Sequence, residues 1–154
     1  MAVFTLVALL AIPMLTSGPT AGASPAQRPL QQEPQDVCGA IVTHTVWSAA
    51  IGRYHASCAV RVPGGLELTV EPGVEVSFAE GANLSVDGTL RITGASPSDV
   101  VFTSDKPQTA RGDWPGVVIN PDAVASIAGL TIRYAGRGTN PALQLRTQGV
   151  TLDQ

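Results

Sequence analysis

Pairs of apolar residues, each two positions apart and repeated down the chain, constrain this sequence more than any other feature. The pairs are Leu68/Val70, Val74/Val76, Leu84/Val86, Leu90/Ile92, Val100/Phe102, Val117/Ile119, Leu130/Ile132, Leu143/Leu145 and Val150/Leu152, most with a polar or small residue between. That is the period of a strand with one face buried. The early pairs also recur at a fixed offset of 16 residues. Leu68-Thr69-Val70 returns as Leu84-Ser85-Val86, Val74-Glu75-Val76 as Leu90-Arg91-Ile92, and Leu84/Val86 as Val100/Phe102. Recurrence in register means that the same corner returns one coil later, so strands stack on their equivalents and pair in parallel. A parallel β-solenoid with 16-residue spacing is therefore expected over an antiparallel meander, although Asp87-Gly88 also suits a tight hairpin.

The interruptions agree with short strands. Pro63-Gly64-Gly65, Pro72-Gly73, Gly81, Asp87-Gly88 and Ser96-Pro97 are turn formers. Outside positions 1–23, no window keeps a helical apolar stripe without a Gly or Pro break. The strict period fails after Thr103, and apolar pairs resume only at Val117. Residues 104–114 read as an insert looped out of one coil, and loops on a rigid scaffold are where binding features concentrate.

The start of the chain is not fold. Val3 to Leu15 is apolar apart from Thr5, and Ala21-Gly22-Ala23 supplies a small-x-small cleavage pattern. The run is too short for a membrane-spanning helix, which takes about 20 apolar residues. It reads as a signal peptide over 1–23, lacking only a basic residue before the apolar core. A flexible leader over 24–36 follows, rich in Gln and Pro, and a single domain occupies 37–154. The localisation expected is secreted or cell-surface, with no membrane span once the signal is removed. Formal net charge is −3 and no basic block is present, which argues against nucleic acid and anionic membrane surfaces as partners. Cys38 and Cys58 are the only cysteines. In an exported chain they most simply form one disulfide, stapling a capping coil over 37–62 and contributing about 3 kcal/mol in the chain-entropy picture. The rival, a catalytic thiol, needs a His partner, for which only His44 and His55 are available.

The segments Val46-Trp47-Ser48, Tyr54, Val60 and 68–76 together resemble the opening coils of bacterial extracellular right-handed parallel β-helix proteins of the pectin-lyase-like class. Val101-Phe102-Thr103-Ser104, 112–117 and 130–136 are similar to the following coils, in the family's order. The resemblance implies an all-β, right-handed parallel β-helix. It leaves activity open, since such coils serve adhesins and carbohydrate-active enzymes alike. Members of this class usually run for more coils, and this chain stops at Gln154, just past the Val150-Thr151-Leu152 strand. The resemblance thus implies an N-terminal portion that is incomplete at its C-terminal side, or an open last coil that self-associates or takes a partner.

Candidate chemistry is sparse. Arg111-Gly112-Asp113 spells an adhesive tripeptide, but 112–114 already has a structural role as the lead into the next coil, and chance alone produces such matches. Acid–base work on a polysaccharide needs carboxylates on one face with a base nearby, or a carboxylate set holding Ca²⁺. Asp99, Asp105, Asp113 and Asp122 are available, with Lys106, Arg111 and Arg133 as bases. Most sit in turns, where Asp is favoured for backbone reasons. By chain position, Asp105, Asp113 and Arg133 are the surface site to inspect first. Glu67, Glu71, Glu75 and Glu80 read as the wet side of half-buried strands. Asn83-Leu84-Ser85 is a glycosylation sequon with meaning only in a eukaryotic secretory pathway. Trp47 and Tyr54, in the first coil, read as a plug for the end of the core. Phosphate-loop, zinc-ligand and nucleophile-elbow motifs are missing, so no cofactor and no metal are expected. The function expected is a non-catalytic scaffold that binds a polysaccharide or a cell-surface partner. The alternative is the N-terminal part of a secreted polysaccharide lyase or glycoside hydrolase whose active site lies beyond this chain.

Overall fold

A computed structural model gives the fold of residues 33–153. The signal peptide expected over 1–23, and the leader as far as residue 32, lie outside the described residues. Strand β1 (Gln35–Ala40) precedes a first coil made of β2 (Thr45–Trp47) and the long β3 (Arg53–Val62). The second coil contains β4 (Glu67–Val70), β5 (Glu75–Phe78) and β6 (Asn83–Val86), and the third β7 (Thr89–Thr93), β8 (Val100–Ser104) and β9 (Gly116–Ile119). The fourth contains β10 (Val124–Ala128), β11 (Leu130–Ile132) and β12 (Leu143–Leu145), and β13 (Val150–Asp153) opens a fifth. No helix among the described residues is long and apolar enough to cross a membrane.

Every strand pairing is parallel, and the strands stack as three faces. Face one is β2-β4-β7-β10-β13. The N-terminal half of β3 leads β5, β8 and β11 in face two, and its C-terminal half leads β6, β9 and β12 in face three. The fold is therefore a parallel β-helix.

The coils are longer than the repeat offset in the sequence suggests. Leu68 lies beside Leu90, Val76 beside Phe102 and Leu84 beside Val117. Stacked equivalents are thus separated by more than that offset on every face. The apolar pairs begin at 68, 74, 84, 90 and 100, at intervals alternating between 6 and 10. The offset therefore recurs after every two strands, whereas a coil closes only after three. The match of Leu68 to Leu84 relates two faces of one coil, not two coils.

The inward members of the pairs build the core. Leu68 and Leu90 stack in face one, Val76 and Phe102 in face two, and Leu84 and Val117 in face three, all buried. Each such apolar side chain contributes about 1.5–3 kcal/mol on burial. An aromatic ladder runs through the middle. Trp47 stacks on Tyr54 with ring centroids 5.4 Å apart and meets Phe102 edge-on at 6.5 Å. Phe102 meets Phe78 at 5.5 Å, and Phe78 lies 4.1 Å from Trp114 with the rings almost parallel. The Tyr54 hydroxyl accepts the Ser48 N–H at 2.7 Å, so its polar tip is satisfied at the closed end.

At that end β1 covers β3, and the Cys38–Cys58 disulfide joins them. The register shifts between Val37 and Gly39, where β3 turns from face two to face three. Cys38 sits at that shift, so the bond holds the covering strand across the corner.

Asp87-Gly88 is a corner rather than a hairpin, since β6 and β7 belong to different sheets. The Asp87 and Gly88 N–H groups both donate to the Val62 carbonyl. A Cβ on Gly88 would lie 2.3 Å from the carbonyl oxygens of both Pro63 and Leu66 in the corner beneath. Space, not dihedral freedom, demands glycine here. Gly65 is the converse, with φ +82° and nothing within 4 Å of an added Cβ. Gly88→Ala is expected to cost about 3 kcal/mol, the upper end for overpacking against rigid backbone. Gly65→Ala should cost about 1 kcal/mol, for the left-handed conformation alone. Urea denaturation of the two variants checks the order, and an equal or larger loss for Gly65→Ala would contradict the stacked-corner geometry.

Candidate functional site

Strand register lines up the outward residues of face two. Arg53, Glu75, Val101 and Thr131 form one column, and His55, Ser77 and Thr103 a second. The Arg133 N–H donates to the Phe102 carbonyl at 2.8 Å, which carries the second column on to Arg133 in the fourth coil. Successive strands lie about 4.8 Å apart. Polar groups are thus repeated along the helix axis at that step.

At the corner where face two ends, the chain gathers its charged side chains. His55 Nδ1 lies 3.2 Å from Asp36 Oδ1, and its Nε2 lies 3.2 Å from Asp105 Oδ2. Asp36 Oδ2 also accepts the Ser57 hydroxyl at 2.9 Å. The imidazole therefore bridges the covering strand β1 and the insert in the third coil. One turn further, Lys106 Nζ lies 3.3 Å from Glu80 Oε2 and 3.4 Å from Asp113 Oδ1. Arg137 Nη2 donates to Glu80 Oε1 at 2.9 Å, so the network spans coils two to four.

The insert is rigidly attached. Asp113 is 7% exposed and its Oδ2 accepts the Ala110 N–H at 2.7 Å, closing the loop on itself. The N–H groups of Gly112 and Asp113 both donate to the Tyr134 carbonyl at 3.0 Å. Trp114 enters the core, and its Nε1–H donates to the Arg133 carbonyl at 2.9 Å. These bonds hold Tyr134 at φ +61°, a conformation that costs a bulky residue about 1–2 kcal/mol. Burial of Asp113 also means that Arg111-Gly112-Asp113 is not presented as an adhesive tip.

Of the three residues singled out by chain position, Asp105 pairs with His55, Asp113 organises the insert, and Arg133 is exposed in the fourth coil. No hydrogen bond or ion pair joins them to one another among the described residues. The bridge through Asp36, Glu80 as the hub between Lys106 and Arg137, and the role of Tyr134 are not foreshadowed in the sequence. Nothing in the spacing signals them, because their partners are neighbours only once the coils stack. No group of three His, Cys, Asp or Glu side chains among the described residues is placed to hold a metal ion. What the corner offers is hydrogen bonding and fixed charge beside a polar column.

The charged network carries pKa shifts in the expected directions. The Lys106 hydrogen bond, then its charge and that of Arg137, hold the Glu80 carboxyl below the usual range. For Asp113 the Ala110 N–H is the largest cause of a lowered pKa, opposed by burial and assisted by Ser104 and Lys106. Partial burial works to lower the Lys106 pKa, but the Glu80 and Asp113 carboxylates together outweigh it and raise it. A lowered carboxylate pKa stabilises the fold above the unfolded value and is lost as pH falls through the folded one. A raised lysine pKa stabilises below the unfolded value and is lost as pH rises through the folded one. Stability is therefore expected to decline below about pH 4, where unfolded carboxylates titrate, and again above about pH 10. Asp113→Asn keeps an acceptor for the Ala110 N–H and removes the charge. Thermal melts should show it less stable than the unmodified protein at pH 7 and with a flatter acid limb. An unchanged acid limb would remove Asp113 from this role.

Residues 39–138 match the family model described as a pectate-lyase like beta helix domain. No curated protein and no solved structure matches the chain. The match covers most of the described coils, from the end of β1 past β11, in agreement with their all-parallel three-faced stacking. The chain belongs to the pectate-lyase-like β-helix family.

Proposed function

We propose that this chain is an exported scaffold whose face two and adjoining corner bind an extended ligand, a glycan on a cell surface or in a matrix, without cleaving it. The observation that carries this reading is the register-aligned column His55, Ser77, Thr103 and Arg133, bordered by the rigid insert. A polymer with regularly spaced hydroxyl or acid groups meets regularly spaced partners on such a face. Most of the affinity cost of ordering a binding surface is avoided, because the sheet and the clamped loop are already fixed. Export is part of the proposal. It is supported by the apolar run over 3–15 and by a disulfide, which persists in oxidising compartments.

The family description supports a second reading, part of a polysaccharide lyase or glycoside hydrolase. The two separate in one assay. The product of the complete reading frame is titrated with a panel of purified polysaccharides by calorimetry, and each mixture is then assayed for new reducing or unsaturated ends. The scaffold reading expects binding without product, and at least about tenfold weaker binding in Thr103→Glu at unchanged melting temperature. Product formation would favour the enzyme, and no binding across the panel would overturn the scaffold reading.

A further inference from the structure

The strand that closes the N-terminal end is weakly secured apart from its disulfide. Among the described residues β1 pairs with β3 alone, and the register of that pairing breaks between Val37 and Gly39. No residue of β1 is buried, whereas each of β4 to β8 buries two residues or more. Val37 alone among its side chains packs against the core. A cleft of about 310 Å³ lies between β1 with residues 41–43 and the end of the core, where Trp47, Tyr54 and Val60 line it. Asp36 adds contacts to His55 and Ser57, but they are exposed, and contacts of that kind contribute little. Few buried apolar groups and a ladder open to solvent mark a segment that opens locally before the rest unfolds.

The disulfide sits where it governs that opening. Val37 pairs with Ala56 and Gly39 with Val60, so the ladder skips Cys38 and the covalent bond takes its place in the middle of the strand. Cys38 is exposed and Cys58 half-buried, so a thiolate reaches the Cys38 sulfur from solvent. Accessible disulfides are the ones that exchange. What β1 covers is the edge of β3, the strand that leads both face two and face three.

We propose that Cys38–Cys58 is a redox-sensitive fastening, which a dithiol reductant opens to free β1 while the coils behind it stay folded. A thiolate of the reductant attacks Cys38 Sγ, and Cys58 leaves as a thiolate. The second thiol of the reductant then displaces Cys38. Two electrons and two protons pass to the protein, which is left with two thiols, and the reductant ends as a disulfide. In the oxidised form the N-terminal end is closed; in the reduced form it presents β3 as an unpaired strand edge. This device is independent of ligand binding on face two.

Hydrogen exchange read by mass spectrometry tests it, on the full chain with and without dithiothreitol, with thiols counted to follow reduction. The amides of β1 and of Ile41, whose N–H donates to the Arg61 carbonyl, should exchange at least about tenfold faster after reduction. Those of β4 to β12 should be unchanged, and re-oxidation should restore the slow rate. Cys38→Ser/Cys58→Ser should show the fast β1 rate without reductant and no response to it. Oxidised Asp36→Asn should keep β1 slow, and fast exchange there would assign the fastening to the His55 contact and overturn the proposal. So would a folded protein that dithiothreitol fails to reduce, or full reduction that leaves β1 slow. Faster exchange throughout β4 to β12 would also overturn it, by making the disulfide a staple of the whole fold.

Discussion

Parallel backbone hydrogen bonding from each coil to the next is the constraint on which the rest of this molecule depends. It fixes which residues share a column, and therefore which apolar side chains meet inside and which polar ones meet outside. Leu68 meets Leu90 and Val76 meets Phe102 because the strands are in register, and His55, Ser77 and Thr103 share the outer surface for the same reason. The strand at the N-terminal end is secured against this stack twice, by the Cys38–Cys58 bond and by the Asp36–His55 contact.

The third coil shows how a solenoid carries an insertion without losing its register. Between β8 and β9 the chain leaves the stack, closes on itself through Asp113, and returns through Trp114. Two N–H bonds to Tyr134 and one from Trp114 to the Arg133 carbonyl tie this excursion to the fourth coil. The loop is thereby tied to the coil beyond it. The left-handed backbone at Tyr134 follows from that clamp, and so does the outward position of its ring.

Strand positions were legible in the sequence, because each apolar pair falls in a strand or at its edge. Coil length was not, since the alternating intervals of 6 and 10 repeat after two strands while the corners close after three. β10 escaped notice because its inward residues are Ala125 and Ile127, and alanine gives little apolar contrast. The disulfide was readable from the chain's two cysteines once export was expected. The His55 contacts were not, since Asp36 and Asp105 lie 19 and 50 residues away in sequence and become neighbours only by stacking. The burial of Asp113 was equally hidden, because an Asp before a Trp in a polar insert looks like any solvated turn.

Coil register is the central claim, and cysteine cross-linking measures it most directly. Thr69 and Arg91 are partners across β4 and β7, whereas Thr69 and Ser85 are the pair that a coil as short as the repeat offset would bring together. Adjacent strands place partner Cα atoms within the range that a disulfide bridges. Three-strand coils predict that Thr69→Cys/Arg91→Cys cross-links on mild oxidation and that Thr69→Cys/Ser85→Cys does not. The reverse result would contradict the stacking from which the faces, the corner and the Tyr134 clamp are all derived.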